Sequence, residues 1–527
     1  MKLKLVFLFV LIVFFIRAQV EWVYPLDPNI TYENSFKTDN EDNVVQIGYS
    51  YETIDVDFQQ SNYYIENEDK KTYIVKYSPS GKLNWVKQFS KNIHFSTFNL
   101  GRNDDIYITG SFYGTEDFDP NEGVYELKNE SGSFYYEFFI LKLDKNGNFI
   151  WAKNLEGSTL ILFSNAFLNS IIDEEDNIYV TASFMGDFDA DPGEGEHIIP
   201  YVNTLDPQGD IYVGKYTKDG EFVWGHAFGT IYDDCLSAMN FDKKGNFYFF
   251  LCTDYNKRFV KINLNGTIEL NSEPVDLGIE YEGKIMFNSN NQLLILSNRY
   301  LTKYSIDSFQ KLEEYYIEGN SINNLFILID KTDNIWILGN YRDSIDFDNS
   351  ENTFYMKANG EYEDIFLIKL SSNFKFINGI SFGGVDKDDA VSVKNFNLSK
   401  KDEKTMVLKG SFNSNLTFSP NLYPLSFHSK IDLCYVLKLN LELKNIRIEE
   451  CDEFLIFPNP INDILNIYSP FNNKMEISLY NNFGDLIYFN DKENNFVKMN
   501  LENFNNGYYH IKVESEFCTV NKLILKH

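Results

Sequence analysis

One strand-turn-strand pattern recurs along the chain and constrains its fold more than any other feature. Residues 138–155, FFILKLDKNGNFIWAKNL, read as an apolar strand, an Asp-Lys-Asn-Gly-Asn turn and a second strand. Residues 73–89 and 211–228 carry the same pattern, and weaker copies follow. One hairpin repeated in this way predicts a repeat architecture, in which each unit buries its apolar face against its neighbours.

A lysine at a fixed place in this hairpin gives the number of copies. A pair of short strands bounded by Asp, Asn and Gly precedes each lysine hairpin, so each unit supplies four strands. Seven such units predict an all-β, seven-bladed β-propeller, with six and eight blades as alternatives. Residues 19–26 resemble the last strand of a unit and are expected to complete the seventh blade, which removes an exposed sheet edge. The seven lysines are Lys76, Lys142, Lys215, Lys261, Lys303, Lys369 and Lys438.

The repeat units are similar to a known family. Residues 177–181 (NIYVT) and 140–147 (ILKLDKNG) resemble the bacterial secreted β-propeller repeat family, and the resemblance covers about residues 30–445. It implies a propeller fold far more than an activity, because propellers host many functions. Trp85, Trp151 and Trp224 hold matching places in the first three units. We expect them to pack between adjacent blades rather than to stack on a ligand.

The charge of the chain excludes two classes of partner. The formal net charge is −30, and nearly all of it lies in the repeat region. This field repels nucleic acid phosphates and anionic membranes, so neither is expected as a partner. The charge is typical of a soluble surface, with binding of a cation or a basic partner as the alternative.

The five cysteines are widely spread and show no zinc-binding spacing. Cys235 and Cys252 either pair across one hairpin or remain buried thiols. The sequence leaves both alternatives open.

Acidic inserts separate the two hairpins in several units and are expected to decorate one rim of the propeller. They read GTEDFDP at 114–120, GDFDADPG at 186–193 and DSIDFD at 343–348. In an extended Asp-x-Asp segment both carboxylates project to one side, which suits a hard cation such as Ca²⁺. The alternative is a turn in which each Asp accepts backbone N–H bonds. The candidate Ca²⁺ ligands are Asp117, Asp119, Asp187, Asp189 and Asp191.

The first 18 residues read as a secretory signal peptide that ends at Ala18. Lys2 and Lys4 precede an apolar run from Leu5 to Ile16, and a small residue stands before the expected cleavage site. This run is shorter than the roughly 20 residues that a membrane-spanning helix needs. The mature chain is therefore expected to have no transmembrane segment.

A different pattern begins at residue 454. Short alternating strands over the last part of the chain predict a small Ig-like β-sandwich. The stretches FPNP at 457–460, ISLYNNFGDLI at 477–487 and LENFNNGYYHIKV at 501–513 resemble the type A C-terminal sorting domain of the Bacteroidetes type IX secretion system. The resemblance implies transport by Sec to the periplasm and then by the type IX machinery, a partner of the chain, across the outer membrane. The motif residues are Pro458, Asn459, Pro460, Asp463, Gly484, Gly507, Lys522 and Lys526.

The sequence therefore predicts a signal peptide (1–18), a propeller (19–449) and a sorting domain (450–527) in a protein secreted or held at the outer-membrane surface. The six histidines are scattered, and no HExxH, GxSxG or P-loop motif occurs, so no catalytic or cofactor-binding residue is assigned. The favoured function is non-enzymatic binding of an extracellular glycan or protein, with the rim inserts as the main contact region. The alternative is a secreted hydrolase or lyase that acts on glycans or peptides at the propeller mouth.

Overall fold

The computed structural model describes most of the repeat region and much of the C-terminal region. The described residues are 19–25, 35–51, 53–57, 63–65, 71–129, 136–160, 168–202, 209–229, 234–253, 256–271, 283–319, 321–358, 363–383, 391–401, 403, 405–412, 415–418, 426–428, 433–440, 455–457, 464–468, 475–481, 486–492, 496–514 and 519–526. They form strands and turns, so the predicted all-β class is confirmed. Within these ranges no helix has the length and apolar character needed to cross a membrane.

Between residues 19 and 440 the described strands form seven antiparallel blades of four strands each, and a hairpin of blade 7 (Asn415–Phe418 with Ser426–His428) extends the sheet of blade 6 to six strands. The first strands of neighbouring blades contact each other at five of the seven junctions, so they are the innermost strands of a ring. This architecture is a β-propeller, as predicted. In chain order the blades contain Phe36–Thr38, Val44–Ser50, Lys71–Tyr77 and Leu83–Phe89 (blade 1); Ile93–Leu100, Ile106–Phe112, Tyr136–Leu143 and Phe149–Leu160 (blade 2); Leu168–Ile172, Ile178–Phe184, Asp210–Tyr216 and Phe222–Phe228 (blade 3); Asp234–Phe241, Phe247–Thr253, Asn256–Ile262 and Ile268–Asn271 (blade 4); Lys284–Phe287, Leu293–Ser297, Tyr300–Tyr304 and Lys311–Tyr316 (blade 5); Ile322–Ile329, Ile335–Tyr341, Asp364–Leu370 and Phe376–Gly383 (blade 6); Val391–Leu398, Thr405–Phe412, Leu433–Asn440 and Gln19–Pro25 (blade 7).

The strand Gln19–Pro25 supplies the fourth strand of blade 7. It pairs antiparallel with Leu433–Asn440, so that Gln19 lies opposite Asn440 and Pro25 opposite Tyr435. The prediction that this segment completes the last blade is therefore confirmed. The N-terminal and C-terminal ends of the propeller are held together in one sheet.

The tryptophans pack between blades, as predicted. A Cβ atom built on Gly147 of blade 2 would lie 3.2 Å from the ring of Trp85 in blade 1, and Gly220 of blade 3 stands in the same relation to Trp151. Trp224 is buried in the core between blades 3 and 4, against Gly266. Each tryptophan thus lies on the turn glycine of the next blade, and these residues are scaffold.

Short two-stranded hairpins lie between the second and third strands of five blades. The apolar residues of the first four belong to the cores between blades rather than to a rim. The hairpins are Ile54–Asp55 with Tyr64–Ile65 (blade 1); Thr115–Asp117 with Glu126–Lys128 (blade 2); Phe188–Asp189 with Ile198–Ile199 (blade 3); Ser344–Asp346 with Tyr355–Lys357 (blade 6); Asn415–Phe418 with Ser426–His428 (blade 7).

The C-terminal strands form two sheets around a separate core. One sheet contains Leu455–Phe457, Ile464–Tyr468 and Phe496–Asn500; the other contains Met475–Tyr480, Leu486–Lys492, Gly507–Glu514 and Thr519–Lys526. Buried residues of both sheets, among them Leu465, Ile467, Leu479 and Ile511, belong to one cluster. The predicted small β-sandwich is confirmed.

Candidate functional site

In three blades the repeated lysine makes a bond to the next blade. Lys76 of blade 1 lies 2.7 Å from the buried carboxylate of Asp39 and donates to the carbonyl oxygen of Lys145 in blade 2, at 3.1 Å. Lys142 repeats this arrangement with Asp105 in its own blade and the carbonyl oxygen of Lys218 in blade 3. Lys303 of blade 5 likewise donates to the carbonyl oxygen of Ser372 in blade 6, and Lys215 and Lys369 form ion pairs with Asp173 and Asp330. The lysines are structural, because each of these contacts is made within the scaffold.

The inner turn, which joins the first and second strands of a blade, is shaped by its first residue. In blade 1 the Asp39 carboxylate accepts the backbone N–H groups of Glu41 and Asn43. Burial raises the pKa of Asp39, but hydrogen bonds from Lys76 and Asn43 outweigh burial and hold the pKa below its ordinary value. Asp173, Asp242 and Asp330 cap their turns in the same way.

The fourth residue of the inner turn binds the preceding blade. It has a positive φ, a conformation that Asp and Asn tolerate better than other side chains. The Asp104 carboxylate of blade 2 accepts the N–H of Asn40 in blade 1 at 2.9 Å, and Asp176 of blade 3 accepts that of Arg102 at 2.9 Å. The same bond recurs at Lys243–Asn291, Ser289–Asp333 and Lys331–Glu403, while Ser399 Oγ donates to Asp42 between blades 7 and 1. These contacts form a circle of hydrogen bonds, here called the turn ring.

The turn ring lacks one bond, between blades 3 and 4. Gly245 of blade 4 holds the place of the acceptor, with φ of 79°, and has no side chain to offer. The donor in blade 3 is the N–H of Glu174, for which the hydrogen bonds of the described residues include no acceptor. The second residue of the inner turn donates its N–H to the next blade at five junctions, whereas the N–H of Glu174, like that of Lys400 in blade 7, has no such bond among the described residues.

A cavity of about 570 Å³ opens among the inner turns, and we call it the axial mouth. Four cationic and five acidic side chains line it, together with the apolar side chains of Leu100, Ile172, Phe241 and Leu264. Three of the acids are engaged by the scaffold, since Asp173, Asp176 and Asp242 accept backbone N–H groups. The charged lining residues are Arg102, Asp173, Glu174, Glu175, Asp176, Asp242, Lys243, Lys244 and Lys400.

Lys37 adds a buried positive charge close to this mouth. It lies on the innermost strand of blade 1, opposite Val45, whose side chain belongs to the core between blades 1 and 2. Burial, with a smaller contribution from the charge of Lys400, lowers the pKa of Lys37 to about 8. The sequence pattern gave no sign of this residue.

The acidic inserts are capped hairpins of one design. The Asp117 carboxylate accepts the N–H groups of Asp119 and Tyr125, at 3.0 and 2.8 Å, and Asp189 accepts those of Asp191 and His197. Asp55 and Asp346 make the equivalent pairs of bonds in blades 1 and 6. The first aspartate thus ties the two arms of each hairpin together, as the capped-turn alternative requires.

The inserts leave the four-stranded blades intact, but their alternate apolar residues enter the cores between blades. The residue that follows the capping aspartate is buried in all four hairpins, as Val56, Phe118, Ala190 and Phe347. Tyr216 donates a hydrogen bond to the carbonyl oxygen of Ala190, and Tyr77 donates to that of Val56. The inserts fill the space between two blades because their alternate residues are apolar, which leaves only their tips and one face in solvent.

The predicted calcium ligands do not share one site. Asp119 and Asp191 each accept a backbone N–H two residues further on, and Asp187 accepts the N–H of Tyr201. The described residues contain no group of three or more His, Cys, Asp or Glu side chains placed to hold a metal ion. Calcium binding remains a prediction from the sequence.

The sorting motif falls partly outside the described residues, which exclude Pro458, Asn459, Pro460, Asp463 and Gly484. Gly507 begins a strand with φ of 148° and has open space where a Cβ would lie. Lys522 pairs in register with Ile511, and Lys526 is buried at the end of the last strand.

Cys235 and Cys252 lie directly opposite each other on neighbouring strands of blade 4, as thiols. This cross-strand position is compatible with the disulfide considered from the sequence. Both alternatives, a disulfide and two buried thiols, therefore remain open.

Residues 455–526 match the family model described as a secretion system C-terminal sorting domain. This match confirms the resemblance of the C-terminal module, and the protein is exported by type IX secretion to the cell surface or the extracellular space. The sorting domain also implies contact with the type IX machinery.

Other similarities are remote. The uncharacterized WD repeat-containing protein L264 of Acanthamoeba polyphaga mimivirus is 27% identical over 129 residues, which cover 23% of this chain and 9% of that protein. Among solved structures, PorZ of Porphyromonas gingivalis, a surface component of the type IX secretion system, is 11% identical, with 96% of this chain and 93% of that chain covered and a TM-score of 0.23. Virginiamycin B lyase of Staphylococcus aureus is 11% identical, with 68% and 98% covered and a TM-score of 0.33. These scores are too low to support any inference about activity.

Proposed function

We propose that this exported propeller is a non-enzymatic binding protein of the cell surface or medium, and that its ligand contacts the axial mouth. The observation that carries the proposal is the convergence of inner turns from five blades on one cavity of about 570 Å³. Small-ligand sites occupy about 300–1,000 Å³ and combine a few placed polar groups with a rigid frame. The turn ring and the lysine contacts supply that frame.

The state of the acids in the mouth favours binding over acid–base chemistry. A general acid or base must be available to exchange a proton with the substrate. Asp173 is buried and paired with Lys215, and Asp242 accepts N–H bonds from Lys244 and Asn246. Glu174 and Glu175 are both exposed to solvent. Their environments therefore do not differ in the way that would make one carboxyl group the acid and the other the base.

The mouth also carries cations that the scaffold does not use. Lys243, Lys244 and Lys400 are exposed, and the ion pairs of the described residues include none of them. The chain has 47 Lys and Arg against 77 Asp and Glu, whereas four cations and five acids line the mouth, so positive charge is enriched there relative to the whole chain. We therefore prefer the mouth to the inserts as the contact region, although most residues of the insert tips are also exposed.

The test is a binding screen of the mature protein on glycan and extracellular protein arrays, repeated with Lys243→Glu/Lys244→Glu. The control is Lys357→Glu, an exposed charge reversal on the blade 6 insert. We expect the double variant alone to lose the ligand. Loss with the control instead would place the contact on the inserts. Mass spectrometry of the recovered ligand decides the alternative function, since cleavage would establish a hydrolase or lyase.

A further inference from the structure

We propose that the axial mouth binds the carboxylate of an acidic sugar, which accepts a hydrogen bond from the backbone N–H of Glu174. The inference rests on the proposed function and names the ligand class for the same cavity. It follows from three features: the missing bond of the turn ring, the charges around it, and the polar character of the opening.

The turn ring shows what the junction between blades 3 and 4 accepts. At the junctions that follow blades 1, 2 and 5, the second N–H of the inner turn donates to an aspartate carboxylate, as in Arg102 to Asp176. After blade 6 the acceptor is the carboxylate of Glu403, and after blade 4 it is the amide oxygen of Asn291. The Glu174 N–H has the same place in its turn, and the next blade has Gly245 at the position of the acceptor. A ligand carboxylate placed there makes the bond that the protein makes for itself elsewhere.

The surrounding cations favour an anionic acceptor over a neutral one. Lys243 and Lys244 precede Gly245 on the same turn, and Arg102, which lies 3.7 Å from the Glu174 carboxylate, reaches the same cavity from blade 2. Asp176 already accepts the N–H of Arg102, and Asp173 is paired with Lys215. Hydrogen bonds between an ionised acceptor and such donors are about twice as strong as neutral ones.

The exposed acids explain why the ligand is a sugar rather than a simple anion. Glu174 and Glu175 are exposed at the edge of the mouth, where the Glu174 carboxylate lies 3.7 Å from Arg102, and both acids would repel a bare anion. As acceptors they bind hydroxyl donors, which a sugar supplies next to its carboxylate. Phe241 and Leu264 provide a small apolar surface in the same cavity, suited to the C–H face of a sugar ring. A uronic acid combines these groups in one unit.

Glycine at position 245 allows a test in which a competing carboxylate is added to the protein, besides the test in which the ligand loses its own carboxylate. A Cβ atom there would meet the Cδ2 atom of Leu264 at 3.0 Å, and that side chain is partly exposed and can rotate. Gly245→Asp places a carboxylate in the position that Asp104 and Asp176 hold at their own junctions. The new side chain then competes with the ligand for the Glu174 N–H. Gly245→Ala introduces the same Cβ atom without an acceptor and is the matched control.

The experiment is isothermal titration of the mature protein with trimers of galacturonic acid, mannuronic acid and a hyaluronan fragment, each compared with its methyl ester. We expect at least one acid to bind, with its ester about tenfold or more weaker, because the charged acceptor is lost. Gly245→Asp should weaken the acid about tenfold or more and melt at a higher temperature than Gly245→Ala, which should retain binding. A tripeptide with a free or amidated C-terminus is the comparison anion.

Each outcome decides a separate point. Equal binding of acid and ester, or full binding by Gly245→Asp, overturns the role of Glu174 and leaves the proposed function standing. Stronger binding of the free-carboxylate peptide than of every uronate overturns the sugar class. No binding of any uronate overturns the inference outright, whereas an array ligand lost in Lys243→Glu/Lys244→Glu would still support binding at the mouth.

Discussion

Lys76 and Lys145 lie 69 residues apart in the chain, yet the Nζ atom of the first donates to the carbonyl oxygen of the second at 3.1 Å. The same ammonium group lies 2.7 Å from Asp39. One side chain therefore holds the inner turn of its own blade and the outer turn of the next, where the outer turn joins the third and fourth strands. The repeated lysine is a link between blades.

Removal of this link should be costly. Lys76→Met leaves the buried Asp39 carboxylate without its counter-charge, and breaking a buried pair from one side costs about 3–5 kcal/mol. We expect the free energy of unfolding in urea to fall by about that amount. The control is Lys82→Met, which removes an exposed lysine five residues beyond the end of the third strand of blade 1. It should change the free energy of unfolding by less than about 0.5 kcal/mol. Equal losses in both variants would contradict the link.

Gly266 and Trp224 offer a second matched comparison. A Cβ atom at Gly266 would lie 2.5 Å from Cγ of Trp224, whereas one at Gly114 meets nothing closer than 3.8 Å. Both glycines have nearly equal φ, 83° and 81°, so Gly→Ala carries the same backbone penalty in each. Gly266→Ala should therefore lower the melting temperature more than Gly114→Ala. Similar shifts for the two variants would show that the tryptophan contact contributes little.

The aspartate caps predict a loss of stability that calcium does not restore. Asp117→Ala removes two acceptors of backbone N–H bonds and should cost about 1–2 kcal/mol in a chemical unfolding experiment. The loss of stability should be the same in EDTA as in about 5 mM Ca²⁺, a concentration on the order of saturation. A wild-type melting temperature that rises with Ca²⁺, and no longer rises in Asp189→Asn, would instead establish the calcium site inferred from the sequence.

Lys37 should make stability depend on pH in the alkaline range. Its folded pKa of about 8 lies below the ordinary lysine value of 10.5, so the folded state disfavours the charged form. The cost is fully present below about pH 8 and is relieved as the pH rises through 8 towards 10.5. Lys37→Met should therefore raise the free energy of unfolding by about 1–3 kcal/mol at pH 7, a gain that shrinks by pH 10.

The control for that experiment is Lys401→Met, which removes an exposed lysine from the inner turn of blade 7. Urea unfolding at pH 7 and pH 10 checks both variants against the wild type. A gain for Lys37→Met that does not change with pH would show that packing, not charge, is responsible.

Deletion of residues 454–527 should trap the propeller in the periplasm, because the sorting domain is the part that the type IX machinery recognises. Cell fractionation and immunoblotting measure the distribution. The control is the full-length chain with Leu486→Ala, a substitution of an exposed residue in the sandwich. Undiminished surface or medium levels of the truncated chain would contradict the assignment.

The repeat was predictable because its residues recur at a fixed place. Lys142, Gly147 and Trp151 stand at matching positions in several units, and a pattern of this kind predicts the blade without any knowledge of contacts. Residues 19–26 were recognisable for the same reason, as a fourth strand without its hairpin. These inferences depend on local pattern, which a sequence displays directly.

The turn ring and the burial of the inserts were not predictable in that way. Asp104 reads as an ordinary turn residue, and its partner Asn40 lies 64 residues earlier. Phe118 sits between two aspartates, so composition suggested an exposed acidic loop, whereas the alternation places the phenylalanine in the core and both carboxylates on the backbone. Asp or Asn recurs at the fourth turn position in five blades, with Gly245 there in blade 4 and Glu403 at the fifth position of a longer turn in blade 7. This recurrence was the one signal that could have revealed the ring.

The pairing of Gln19 with Asn440 sets the order in which the propeller can mature. The closing strand begins just after the expected cleavage site of the signal peptide, and its partner is among the last residues of the repeat region to be synthesised. Contacts so distant in the chain form slowly, because the entropy cost of closing a long loop comes before the contacts stabilise the fold. Until then blade 7 exposes an unpaired strand that could accept the same segment from another molecule. Removal of residues 19–25 should therefore leave the strand Leu433–Asn440 with an unpaired edge, which an untruncated copy can fill with its own N-terminal strand.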